Sequence, residues 1–261
     1  MHSRHTSLRS RLAHARAFTG TMIQFDCCEI VEIAGLAGYD YVMLDAEHGA
    51  LDIGAITRLI RAAEAVDICA MVRVPDHGAV FIQRVMDAGA AGVLVPRVQA
   101  PAQVEQAVRA ARFAPWGERG ACATSRAAGH WTQDWPGFSR EASADALVWA
   151  LVEDPQGMAA LGQIASVPGL DALVFGAFDL SQALGHAGDV HHPEVAAGFK
   201  AIRDAATQAE LELVAITAAE PGGAAGAAQR GSRIVLDGFD AQIISGAYRQ
   251  RFGQLRQDMK P

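Results

Sequence analysis

The sequence predicts a single-domain α/β protein, a (β/α)8 barrel spanning residues 1–261. Three observations point there. Eight short β-rich runs alternate strictly with longer, Ala-rich segments of helical period. Several of the runs, among them YVML, AMVRV, GVLV and ALVF, are almost continuously apolar, as parallel strands covered on both faces must be. Eight such units within about 250 residues match the size of a closed barrel with right-handed crossovers. A doubly wound open sheet is the competing arrangement, but no GxGxxG follows the first run to open a helix.

In chain order, strands are expected over 18–25, 41–45, 68–74, 92–98, 147–153, 172–176, 211–217 and 233–237. Helices are expected over 29–37, 53–65, 79–88, 101–112, 157–165, 193–209 and 223–229, with a last one over 241–257. His191 and His192 before Pro193 mark a helix entrance. Residues 1–17 form a leading basic segment, with Arg4, Arg9, Arg11 and Arg16 and no acid. It lacks the apolar stretch of a secretory signal and reads as a short helix capping the domain. The longest irregular stretch, 115–143, is a long loop after the fourth strand, rich in Gly, Trp, Ser and Arg. A connector of that length is expected to serve as a lid or substrate wall.

Composition removes several function classes. The formal charge of −7 argues against nucleic-acid binding, which needs a basic face. No apolar run approaches the roughly 18 to 20 residues that cross a membrane. Four cysteines, two of them adjacent at Cys27 and Cys28, make no disulfide framework at this length. Reduced thiols and a cytoplasmic location are expected.

In a barrel of this kind the chemistry sits where the strands end, and polar residues gather there. The second run breaks into Asp45, Glu47 and His48; the third carries Arg73; Arg97 follows the fourth, Glu153 closes the fifth, and Asp179 follows the sixth. Glu153 and Asp179 come after adjacent strands. Two carboxylates converging there suit a hard divalent cation, Mg2+ or Mn2+ with Co2+ as a further option, and no Cys or His suggests structural zinc. The plainer alternative makes Asp179 a helix cap and Glu153 an ion-pair partner. His48 has Asp45 three residues before it, a spacing that lets a carboxylate orient an imidazole serving as general base. A histidine at a strand end is also commonly structural. Arg73, inside an apolar strand, needs an anion: either a buried partner such as Asp45 or Asp87, or an oxyanion developing on a substrate.

Taken in order, LDAEHGALD at 44–52, MVRV at 71–74, VMDAGAAGVLVPRVQ at 85–99, PWGERG at 115–120, LVEDPQGM at 151–158 and FGAFDLSQALG at 175–185 resemble the metal-dependent pyruvate aldolases. That family cleaves or forms 4-hydroxy-2-oxo acids, giving pyruvate and an aldehyde through a metal-stabilised enolate. The resemblance implies that Glu153 and Asp179 hold the metal and that Arg73 contacts the C2 oxygen. It implies that His48, oriented by Asp45 and Asp87, moves protons, and that the backbone at Phe178 and Asp179 cradles the pyruvate carboxylate. It also implies a homo-oligomer, a hexamer built as a trimer of dimers. The last helix carries Ile243, Ile244, Ala247, Tyr248, Phe252 and Leu255 at helical spacing, fit to pack on its own barrel or a neighbour's. Three departures stand out: Leu151 where many relatives have glutamine, the bulky Phe178 beside the expected carboxylate pocket, and a loop after Arg119 whose spacing does not align with relatives, so that Arg126 takes no role from the resemblance.

Lys200 and Lys260 are the only lysines and neither ends a strand, so no Schiff-base lysine is at hand. Two other readings remain open. One is a lyase of the same scaffold, an oxaloacetate decarboxylase or CoA-ester lyase. The other is a barrel that binds a 2-oxo acid without turning it over.

Overall fold

The computed structural model describes residues 7–217 and 223–259. Arg4, in the basic leader, falls outside them. Eight parallel strands close into one barrel in chain order: β1 (Phe18–Ile23), β2 (Tyr41–Asp45), β3 (Cys69–Arg73), β4 (Gly92–Val95), β5 (Leu147–Val152), β6 (Ala172–Phe175), β7 (Glu212–Ile216) and β8 (Ile234–Phe239). β1 pairs with β8 to complete the ring.

Alternation along the strands builds two cores. Inward positions Phe18, Met22, Tyr41, Met43, Met71, Leu94, Leu147, Trp149, Leu151 and Val174 fill the barrel. Outward neighbours such as Val42, Leu44, Val72, Val93 and Val148 pack under the helices. Tyr41 fits because Gly20 faces it: a Cβ there would lie 2.3 Å from the Tyr41 ring. Leu151 belongs to this inner packing and is buried.

The leading helix α1 (Leu8–His14) caps the barrel as expected, its Leu8 and Leu12 joining the inner core. The helices α2 (Cys28–Ala37), α3 (Ile53–Ala65), α4 (Ala79–Ala88) and α5 (Pro101–Ala111) follow the first four strands. The stretch expected as one loop over 115–143 differs. Its second part is a helix, α6 (Trp135–Asp145), opened by Asp134 accepting from the Gly137 N–H at 2.9 Å, with a proline in the first turn. The irregular part before it follows α5 rather than β4, so it departs from the end of the barrel opposite the strand C-termini. It is anchored outside the barrel by Arg126 on Glu64 and by the Ala127 N–H on the Asp87 carbonyl. None of its residues lines the cleft described below.

The helix expected over 157–165 is split into α7 (Pro155–Ala159) and α8 (Leu161–Ala165). After β6 come α9 (Ala177–Ala183) and α10 (Pro193–Gln208); α11 (Gly223–Gln229) precedes β8, and α12 (Asp240–Asp258) closes the chain. Within α12 only Asp240 is buried. Ile244 is half-buried and Ile243, Tyr248, Phe252 and Leu255 are exposed, so beyond its first turn the helix does not lie on its own barrel. Among the described residues no helix is long and apolar enough to cross a membrane, and all four cysteines are free.

Candidate active site

The inward alternation of the strands determines what reaches the barrel mouth. Tyr41 and Met43 point inward, so Asp45 does too, and Cys69 and Met71 place Arg73 in the same way. Asp45 and Arg73 are Cα partners in the β2–β3 register. Their side chains meet in a fork: Arg73 Nε donates to Asp45 Oδ1 at 2.8 Å and Nη2 to Oδ2 at 2.6 Å. Both are buried. Burial pushes the Asp45 carboxyl up, but the Arg73 guanidinium outweighs it and holds the group below its ordinary range. Gln24, at the end of β1, adds a third donor to Asp45 at 2.8 Å. The turn carrying Gln24 is in turn fixed by Asp240, whose carboxylate accepts the Gln24 and Phe25 N–H groups at 3.0 Å each.

Asp45 therefore serves Arg73, and the expected Asp45–His48 pairing of side chains does not form. Asp45 Oδ1 takes the backbone N–H groups of Glu47 and His48 instead, at 3.1 and 3.2 Å, tightening the turn after β2. The imidazole is well exposed, and its nearest acid is Glu47, at 3.8 Å from Nε2, too far for a hydrogen bond. Asp87 is also placed elsewhere. It sits on α4 and pairs with the buried Arg119 at 2.6 Å, where Arg119 lies over the Phe113 ring. Arginine 119 gives Asp87 a closer and better-desolvated partner than either His48 or Arg73.

A cleft of about 360 Å³ opens at the C-terminal ends of the strands, lined by Glu47, His48, Arg97, Glu153, Asp154, Asp179, Gln182 and Ala183. Glu153 continues the inward series Leu147, Trp149, Leu151. It is buried, with Oε1 accepting the Arg97 N–H at 2.8 Å. Burial, with the charges of Asp179 and Glu47 added, raises its carboxyl to about 7. Space for it depends on Gly176, where a Cβ would lie 2.7 Å from Glu153 Oε2. Asp179, in the first turn of α9, is exposed to the cleft and makes no side-chain cap of that helix. Asp154 caps α7 through the Gly157 N–H at 2.7 Å and also accepts from Gln99.

Glu47 was noted at the end of the second run but given no role. Its Oε2 is sealed from solvent and has no hydrogen-bond partner, although Arg73 Nη1 lies at 3.3 Å. Burial raises this carboxyl as well. A sealed, unbonded carboxylate oxygen beside two further acids has the hard-oxygen character that Mg2+ or Mn2+ takes. The residues present thus fit a divalent cation. Phe178 does not fill the cleft: its ring lies over Gly188, in the loop after α9. In that loop His186 and His192 stack with ring centroids 3.4 Å apart and share Glu194, company that their sequence positions did not suggest.

Acids and an arginine converge at the strand C-termini of a closed barrel, the end where barrel enzymes carry their active sites. Residues 25–247 match the family described as HpcH/HpaI aldolase/citrate lyase, and the chain belongs to that family. It is accordingly an enzyme of the aldolase and lyase kind. It is 31% identical over 255 residues to a hydroxypyruvate/pyruvate aldolase of Paraburkholderia phytofirmans, covering 95% of this chain and 97% of that one. The crystal structure of an HpcH/HpaI aldolase from Desulfitobacterium hafniense superposes with a TM-score of 0.91 at 27% identity, over 98% of each chain. A citrate lyase beta subunit from M. tuberculosis, complexed with oxaloacetate and magnesium, shares the fold at TM-score 0.58 and 20% identity, over 88% of this chain and 94% of that one.

Proposed function

We propose that the protein cleaves and forms 4-hydroxy-2-oxo acids, with pyruvate as one product and an aldehyde as the other. The observation that carries this reading is the cleft itself. Glu153 and Asp179 face one space beside the buried Arg73, and among the described residues no lysine ends a strand, since Lys200 pairs with Asp204 on α10. Glu153 and Asp179 would hold the divalent cation, with Glu47 beside them. The cation supplies Lewis-acid polarisation of the C2 carbonyl.

The protein's own groups do the rest. Asp45 grips Nε and Nη2 of Arg73, which leaves Nη1 toward Glu47, a cleft residue, at 3.3 Å. From there it donates to the C2 oxygen as negative charge grows in the enolate. His48 stands at the mouth with a free imidazole. It takes the C4 hydroxyl proton while the C3–C4 bonding electrons pass to the enolate and the aldehyde leaves. The same group accounts for exchange of the pyruvate methyl protons. The backbone at Phe178 and Asp179, at the start of α9, faces the pyruvate carboxylate.

The deciding experiment is hydrogen exchange at pyruvate C3 in D2O, followed by NMR. Exchange should need Mn2+ or Mg2+, stop in excess chelator, and leave no adduct trapped by borohydride. Exchange undiminished by chelation, or a borohydride adduct, would overturn the mechanism. We further propose a homo-oligomer, a hexamer arranged as a trimer of dimers, in which α12 packs on a second copy. Its Ile243, Tyr248, Phe252 and Leu255 are uncovered in the protomer, as are Ile33 and Leu36 on α2.

A further inference from the structure

Gln24 is bonded into the site through its side chain yet has no task in the scheme above. It is the next inward position of β1 after Gly20, which faces Tyr41, and the buried Met22. The β1–β2 register sets Met22 against Met43 and Ile23 against Leu44, so the next pair across is Gln24 and Asp45. The β2–β3 register then sets Asp45 against Arg73. Three side chains from three adjacent strands thus stand in one row. They are bonded along it: Gln24 Nε2 donates to Asp45 Oδ2 at 2.8 Å, and Arg73 Nη2 donates to the same oxygen at 2.6 Å.

The outer end of the row is anchored. The β1–β8 register shifts between Gly20 and Met22, and beyond the shift Met22 stands opposite Phe239. The residue after Phe239 is the buried Asp240, which opens α12 and takes the Gln24 and Phe25 N–H groups on Oδ2 at 3.0 Å each. Gly49, in the turn after β2, packs against the same segment: a Cβ there would lie 3.2 Å from Gln24 Cα. The backbone of Gln24 is therefore held by two elements, and its amide donates from a fixed place.

A fork between guanidinium and carboxylate is planar, so the plane of the Asp45 carboxylate sets the plane of Arg73. Asp45 Oδ1 is fixed by the N–H groups of Glu47 and His48, and Gln24 fixes Oδ2 independently of Arg73. Without that amide the carboxylate is free to turn about its Cβ–Cγ bond and to carry the guanidinium with it. Nη1, which lies beyond the fork and toward Glu47 at 3.3 Å, is displaced most. We propose that Gln24 is a positioning residue: acting through Asp45, it aims Arg73 Nη1 at the C2 oxygen, and Asp240 anchors the turn that carries it. This inference rests on the aldolase reading.

The test is pyruvate C3 exchange by the Mn2+-loaded enzyme with Gln24→Met, which keeps the side-chain length and loses the donor. Its kcat should fall about tenfold or more, as expected when a transition-state donor is misaimed. KM for pyruvate should stay within about twofold and Mn2+ affinity by calorimetry should not change, because neither depends on that aim. In an Arg73→Lys background, which has no fork to aim, the same substitution should cost less than about twofold. An undiminished kcat in Gln24→Met, a loss that falls on KM or on Mn2+ affinity, or an equal loss in both backgrounds overturns the proposal. Should Gln24→Met fail to fold by circular dichroism, Gln24→Asn, which keeps the amide but draws it back by one methylene, is read by the same criteria. Absence of exchange in the wild type would bring down the aldolase reading itself, whereas wild-type exchange with any of the overturning results rejects only the role of Gln24.

Discussion

Replacing Glu153 by glutamine should stabilise the metal-free protein at alkaline pH while removing its affinity for Mn2+. The Glu153 carboxyl stands at about 7 in the fold, against 4.5 for an ordinary glutamate. A group raised in this way binds its proton more tightly folded than unfolded. Its favourable contribution is complete below about 4.5 and is lost as pH rises through about 7. Over that window the ionised acid costs on the order of 3 kcal/mol, through burial first and the charges of Asp179 and Glu47 second. For a chain of this size that corresponds to about 6 °C in Tm. Glutamine keeps an oxygen for the Arg97 N–H and removes the charge. Differential scanning fluorimetry in chelator, from pH 5 to pH 8.5, should show variant and wild type together at the acid end and the variant higher at the alkaline end. Parallel Tm curves across the range would refute the assignment of an ionised, desolvated Glu153.

Arg73→Ala should lower kcat by at least about 100-fold, the scale for losing a main oxyanion donor, and Arg73→Lys should recover only part; a near-wild-type alanine variant would reduce Arg73 to a partner of Asp45. His48→Ala should lose both aldol cleavage and pyruvate exchange while retaining Mn2+ by calorimetry, and loss of the metal instead would make His48 a ligand. Gly176→Ala should drive a methyl into Glu153 and weaken Mn2+ binding tenfold or more, and unchanged affinity would show that the carboxylate can move aside. Truncation at Ser245 should dissociate the assembly in light scattering, and a full-length protein that is a monodisperse monomer at micromolar concentration would sink the oligomer.

The barrel was legible because its signal is local. Each strand is an apolar run and each helix has its own period, so counting eight alternations sufficed. β2, α3, α4 and α11 lie over the very residues expected for them. The charged residues at the strand ends were legible for the same reason, since period-two alternation carries Asp45, Arg73 and Glu153 inward along with the apolar residues before them. Helix α6 was missed because it was read together with the Gly-, Trp-, Ser- and Arg-rich stretch before it, although Asp134 and Pro136 supply a start signal.

Partner choice was another matter, because it depends on which side chains meet across strands. The β2–β3 register sets Arg73 against Asp45, and so Asp45 holds a guanidinium rather than the His48 ring. Asp87 goes to Arg119 because the connector after α5 runs back across α4. The sealed oxygen of Glu47 exists only once Arg73 and the barrel mouth enclose it. Likewise, the periodicity of α12 showed an apolar face but not where it lies. Sequence by itself determined the elements, their order and the acids that end them, since each depends on neighbours a few residues away. Only the tertiary structure decided which charges pair, which remain free and which helix leaves its own barrel, because those contacts join residues far apart in the chain.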